Sequence, residues 1–298
     1  MKLKVWGARG SVPAPGPEMN RYGGNTSCVE LELSDGSTLI IDAGTGIRSL
    51  GVGIAKNLPK INILLTHLHL DHIQGLMFFA PCFRSESEIT IWGPSSPEAS
   101  LEERIARYIS APLSPVEVRE LPCDVNFRDT PPSEWEIGPA TIRAEAVTHR
   151  GPTLGYRITD GDGTALTYIS DHEPGLGAPL ESLEPEWISG FDLARDADLL
   201  IHDCQYTDEE YPDHVGWGHS RLSDTLTFAR RVDAKRLLLF HHDPLHSDDF
   251  LDRFHEQARE GWADLDGRDG AVEMASETQE VEIVSPAAAR PPYLGASA

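Results

Sequence analysis

The chain has 298 residues, 40% of them hydrophobic and 24% charged, enough aliphatic material for a substantial core. Its apolar runs are too short for a membrane-spanning helix. With 48 acidic against 25 basic residues the formal charge is −23, a balance that repels phosphate backbones and anionic membrane surfaces and so disfavours long nucleic acids as partners.

From the amino terminus, MKLKVWGARGSVPAPGP lacks the apolar centre of a secretory signal, so a cytoplasmic protein is expected. The four cysteines form no CxxC pair and read as reduced, mostly buried thiols. Lysine (5) is scarce beside arginine (20), and the general acidity reads as solubility or salt adaptation of the host. Apolar runs of strand length predict strands over 3–6, 29–33, 38–41, 61–65, 89–92, 116–121, 140–147, 154–158, 165–169, 199–202, 236–240 and 281–284. Helical periodicity predicts helices over 47–56, 100–109, 222–232 and 248–259. Strands dominate early and strand–helix alternation comes later, which predicts two mixed sheets with helices outside. No internal repeat is visible. The whole reads as one domain over 1–285, with an inserted, pocket-shaping segment over about 81–139, rich in Pro, Ser and Glu. The tail 286–298 is too small in side chain and too proline-rich to pack and is predicted to be disordered.

The stretch INILLTHLHLDH is an apolar strand running into a ligand-rich loop. In extended backbone, residues two apart point the same way, so His67 and His69 can grip one ion. Asp71 and a helical turn beginning at His72 would aim those two side chains at a second position. Imidazole and carboxylate suit zinc, manganese or iron, and the absence of a nearby thiolate argues against a structural zinc knot. One such histidine alone is more often a surface residue; the full pattern after a buried strand is not.

The motif resembles that of the metallo-β-lactamase superfamily, and further pieces match in order over about residues 3–284. LIIDAGTG supplies Asp42 as a carboxylate behind the ligands, EAVTHRGPTLGYRI supplies His149, LTYISDHE supplies Asp171, and KRLLLFHHDP supplies His241 or His242, with His241 preferred because it directly follows the apolar run. The resemblance implies an α/β fold, a four-layer αββα sandwich of two mixed sheets with outer helices. It implies two divalent metal ions, zinc first: His67, His69 and His149 on one, Asp71, His72 and His241 on the other, Asp171 bridging. A water activated between them would be the nucleophile, with Asp71 able to take its proton.

Two segments resemble the tRNase Z and cyclic-nucleotide phosphodiesterase-like branch. In IHDCQYTDEE, Asp203 stands where tRNase Z has Glu; GHSRLSDTLTFARR supplies His219 and Ser220, the histidine as proton donor to phosphate or leaving group. His214 reads as an ordinary surface residue. The chain departs from tRNase Z in lacking a Gly/Pro-rich basic arm and in its charge, which points to a small phosphodiester such as a cyclic nucleotide. The opening GARGSVPAPGPEMNRYGGNTSC resembles N-terminal loops of the same group, and Arg9, Arg21, Asn25 and Thr26, with Ser220, are candidates to receive the anion. The alternatives are a tRNase Z-like RNA 3′-processing endonuclease, a lactone or carboxylic-ester hydrolase, and a non-enzymatic metal-binding sensor. The family resemblance also admits a homodimer.

Overall fold

The structure is a computed structural model that describes residues 1–54, 60–265 and 271–284. Two seven-stranded mixed sheets face each other. The first runs β14 (Glu280–Glu282), β1 (Lys2–Gly7), β2 (Cys28–Glu32), β3 (Thr38–Ile41), β4 (Lys60–Leu64), β5 (Glu88–Pro94), β6 (Asp124–Thr130). The second runs β13 (Val272–Met274), β12 (Leu237–Phe240), β11 (Leu199–Asp203), β10 (Ala165–Ile169), β9 (Leu154–Thr159), β8 (Ala140–Ala146), β7 (Ser133–Ile137). Each sheet is part antiparallel and part parallel. β3 to β6 are parallel in the first sheet, and β10 to β13 in the second.

The central strands are largely apolar because both of their faces are covered: β10, β11 and β12 are buried at every position. Between the sheets, Leu3, Val5, Leu31, Leu39, Tyr156, Tyr168 and Phe240 share one core. On the outer face of the first sheet, helices α1 (Ile47–Gly53) and α3 (Leu101–Tyr108) bury Ile47, Leu50, Leu101 and Ile105. Helices α5 (Leu222–Arg231) and α6 (Asp248–Asp264) do the same for the second sheet through Leu226, Phe228, Leu251 and Trp262. Two short helices, α2 (Leu70–Ile73) and α4 (Phe191–Ala194), complete the set. This is the expected αββα sandwich. The four cysteines are buried free thiols, and among the described residues no helix is long and apolar enough to cross a membrane.

Several sequence expectations are corrected. Residues 116–121 form no strand; a 3-10 turn occupies Val118–Glu120. The neighbouring β6 and β7 escape notice because they are polar, half-exposed edge strands, DVNFRDT and SEWEI. Residues 81–139 are therefore not an inserted lid over a pocket: they supply β5, β6, β7 and α3, which belong to the layers themselves. Such a segment reads as an insertion because edge strands bury one face at most. The end of the predicted helix over 47–56 and the tail 286–298 lie outside the described residues.

Candidate metal centre

Parallel strands bring their carboxyl ends to one edge, and the site is assembled there. Asp42 follows β3, the 66–72 loop follows β4, Asp171 follows β10, Asp203 ends β11 and His241 follows β12. The second sheet holds the loop in place directly. Tyr156 donates its hydroxyl to the Leu65 carbonyl at 2.7 Å, and the Leu154 N–H donates to the Thr66 carbonyl at 2.9 Å.

The loop does what the spacing predicted, with the helical turn starting earlier, at Leu70. The rings of His67 and His69 lie 4.4 Å apart, and His149 joins them from the loop after β8, its ring 4.8 Å from that of His67. The His149 Nε2 and His69 Nδ1 atoms are 3.2 Å apart. A second group, all buried, consists of Asp71, His72, Asp171 and His241. His72 Nε2 lies 3.2 Å from Asp71 Oδ2 and 3.1 Å from Asp171 Oδ1; His241 Nε2 lies 3.2 Å and 3.3 Å from Asp71 Oδ2 and Asp171 Oδ2. Asp171 touches both groups, its Oδ2 being 3.7 Å from the Nε2 atoms of His67 and His149. His242 faces away, its Nε2 donating to the Ala275 carbonyl at 2.8 Å.

Partners on the far side of each ring decide which nitrogen points inward. Asp42 sits 2.8 Å from His72 Nδ1 and also accepts from the Thr66 N–H, the Thr66 hydroxyl and the Tyr168 hydroxyl. Because Thr66 Oγ1 donates to Asp42, it can accept from His67 Nδ1, 3.1 Å away. Gln205 Oε1 takes His241 Nδ1 at 3.1 Å, and the Gly218 carbonyl takes His149 Nδ1 at 2.7 Å. Four Nε2 lone pairs are thereby turned toward the centre. His67 Nε2, His72 Nε2 and Asp171 Oδ1 are buried yet make no hydrogen bond there. Buried polar atoms without partners are costly. A site that collects them fits a cation bound by imidazole and carboxylate.

Charge supports the same fit. Burial pushes His67, His69 and His149 below the ordinary histidine range, keeping them neutral as ligands must be. Burial acts in the same sense on His72 and His241. There the carboxylates of Asp171 and Asp71 overcome it, holding His72 well above that range and pushing His241 up to about 9. Burial would raise Asp71 and Asp171, but His72 and His241 hold both below the usual carboxylate range. Protons on His72 and His241 and a divalent cation are alternative ways of balancing the same two carboxylates.

Beside the cluster stands His219, 2.7 Å from Asp203 Oδ2 through Nδ1, its ring stacked on that of His241 at 4.9 Å. Asp203 is fully buried and also accepts the backbone N–H groups of His172, Gln205 and Ser220. His219 thus stands beside the cluster with Asp203 behind it. His214 stacks on Tyr206, away from the ligands, as an ordinary loop residue.

Most of the proposed anion-binding residues do not reach the cleft. Arg9 is 1% exposed and spends its guanidinium on the carbonyls of Gly23, Asp243 and His246. Arg21 pairs with Asp249 and Asp252 on the surface. Asn25 donates to Glu277, and Thr26, fully buried, exchanges hydrogen bonds with Thr45. Ser220 gives its hydroxyl to the His172 carbonyl. The physical reason is common: each side chain is already held by other groups of the protein, Arg21 on the surface and the others inside the fold. Instead Ser11, which sequence reasoning passed over between Arg9 and Pro13, lines the cleft and donates its N–H to Asp71 Oδ2 at 2.9 Å. Ser11, Asp42 and His241 all have φ near +60°, an uncommon conformation for residues with side chains, and all three border the site.

The cleft has a volume of ≈ 440 Å³ and is lined by Ser11, Leu68, His69, Leu70, Asp71, Asp171, His219 and His241. Residues 37–242 match the family described as Beta-lactamase superfamily domain. A ribonuclease Z of Kineococcus radiotolerans is 25% identical over 300 residues, covering 90% of this chain and 90% of that protein. Among solved structures, the short form of human tRNase Z covers 96% of this chain and all of its own, with a TM-score of 0.66 and 21% identity. Unliganded yeast PDE1 covers 94% and 98%, with a TM-score of 0.63 and 14% identity. At those identities the two structures speak for the fold alone.

Proposed function

The chain belongs to the beta-lactamase superfamily and is a metal-dependent hydrolase, and from that premise we propose that it cleaves a small phosphodiester, such as a cyclic nucleotide, with two zinc ions. His67, His69 and His149 would hold one ion and Asp71, His72 and His241 the other, with Asp171 within reach of both groups. Divalent cations bound there supply an activated water and neutralise charge on the attacked phosphoryl oxygen. The observation that carries the phosphodiester reading is His219. Its Nδ1 is held by Asp203 at 2.7 Å and lies 4.0 Å from Asp171 Oδ2, so a donor is poised beside the ligand cluster. A departing alkoxide needs such a proton, and Asp203 keeps the imidazole oriented. Asp71, fixed by the Ser11 N–H, is placed to receive a proton from water.

A second reading, RNA 3′ processing, is favoured by the ribonuclease Z relative matched over most of both chains. Two features favour the smaller substrate. The formal charge is −23, and the residues lining the cleft include neither lysine nor arginine to grip a phosphate chain. Zinc-loaded protein assayed against bis(p-nitrophenyl) phosphate, cyclic nucleotides, precursor tRNA and lactones decides between them. Two zinc ions per chain and turnover of the small diesters are expected, with His219→Ala slowing turnover about a hundredfold at unchanged zinc content. Preferential cleavage of tRNA or of lactones would replace this reading, and zinc binding without turnover of any would indicate a sensor.

A further inference from the structure

Outside the ligands and their direct supports, one buried carboxylate stands out. Glu173 is 1% exposed, makes no ion pair with a basic side chain among the described residues, and has its oxygens satisfied by three donors from one loop. The Tyr211 hydroxyl donates to Oε1 at 2.7 Å, the Gly216 N–H to Oε1 at 2.8 Å and the Gly218 N–H to Oε2 at 2.8 Å. A buried carboxyl group is costly unless its oxygens are hydrogen-bonded, and here both are.

The loop it grips carries two functions. The Gly218 carbonyl accepts from His149 Nδ1, and the next residue is His219. Gly218 has φ +92°, and a Cβ there would come within 2.4 Å of His149 Nδ1, so the loop backbone is pressed against the imidazole. Glu173 is also tied to the other side of that histidine, since its own N–H donates to the Thr148 carbonyl at 3.0 Å. One residue thus links the strand-end loop bearing His149, the segment after Asp171 and the loop bearing His219.

We propose that Glu173 is a positioning residue of the site, its carboxylate clamping residues 211–218 so that the Gly218 carbonyl orients His149 as a ligand and His219 is held over the cleft. Loss of the clamp releases the His149 tautomer and ring angle, weakening the His67–His69–His149 position while leaving the Asp71–His72–His241 position intact. The proposal rests on the assignment of His149 as ligand and His219 as proton donor.

Glu173→Gln tests it, because the amide keeps the shape but turns an N–H₂ group toward an N–H donor. Zinc affinity at each position is measured by chelator competition, alongside kcat, KM and the thermal midpoint. The expected result is one zinc ion bound as in wild type and the other about tenfold or more weaker, the size usual for losing a group behind a metal ligand. kcat should fall about tenfold with KM within about twofold. Tyr211→Phe, which removes one donor and leaves the Gly218 bond, is the milder arm and should show the same split at a few-fold. Unchanged zinc affinities in both variants, or a lowered thermal midpoint with both zinc positions unaffected, would overturn the proposal. Fewer than two zinc ions in the wild-type protein would instead overturn the di-metal reading itself.

Discussion

The loop at 66–72 and the loop at 9–26 border the same cleft and are both rich in polar residues, yet they do opposite things with them. In the first, backbone and outer ring nitrogens are satisfied from behind by Asp42 and Thr66, so the inner nitrogens of His67 and His72 stay free for a ligand. In the second, the polar side chains turn inward and are spent on the fold: Arg9 on three carbonyls, Asn25 on Glu277, Thr26 on Thr45. A polar residue near a site is available to a substrate only when its hydrogen-bonding capacity is not already used. Ser11, held at φ +60°, is the residue of the second loop that lines the cleft, its N–H on Asp71 and its hydroxyl within reach of Gln205.

The contrast can be broken at three points. Asp171→Ala removes the one carboxylate that touches both ligand groups. Activity on a small diester should fall about a thousandfold or more, with weaker zinc binding at both positions by chelator competition. Retention of two tight ions would mean that the cluster is not organised around Asp171. Next in size, Arg9→Met should cost stability rather than chemistry. It leaves three carbonyls without the guanidinium donor and the nearby Asp248 without its opposite charge, an expected loss of about 3 kcal/mol in urea unfolding. The folded variant should keep its zinc content and kcat; a lost kcat or a raised KM at unchanged stability would return Arg9 to the substrate. The smallest effect is expected for Asn25→Ala, with kcat/KM within about twofold of wild type, since its side chain meets Glu277 and not the cleft. A tenfold rise in KM there would erase the distinction between the two loops.

Much of this centre was legible along the chain because its residues follow strands that can be recognised one at a time. A buried apolar run ending in a polar residue marks a carboxyl end, and five such ends carried Asp42, the 66–72 loop, Asp171, Asp203 and His241. The choice of His241 over His242 followed from the same rule, and the structure turns one ring inward and the other toward Ala275. β6 and β7 were hidden because edge strands bury too little to show an apolar period. Gln205 and Glu173 were hidden for another reason: nothing local distinguishes a loop Gln that will meet a histidine, or a Glu that will gather three donors from another loop, from one that will meet water. Each lies two residues beyond a recognised aspartate, Asp203 and Asp171, and that adjacency was the only signal on offer.

The spacing of His67, His69, Asp71 and His72 after an apolar strand by itself pointed to a metal-binding loop in a layered α/β fold, and the family resemblance extended that reading to His149, Asp171 and His241. Those properties depend on strand ends and side-chain alternation, which are local. Which polar residues remain free was decided only by tertiary structure, because a hydrogen bond between Arg9 and His246, or between Glu173 and Gly218, depends on the packing of distant segments. That is why the metal-binding loop could be picked out along the chain while the engagement of Arg9, Asn25 and Thr26 could not.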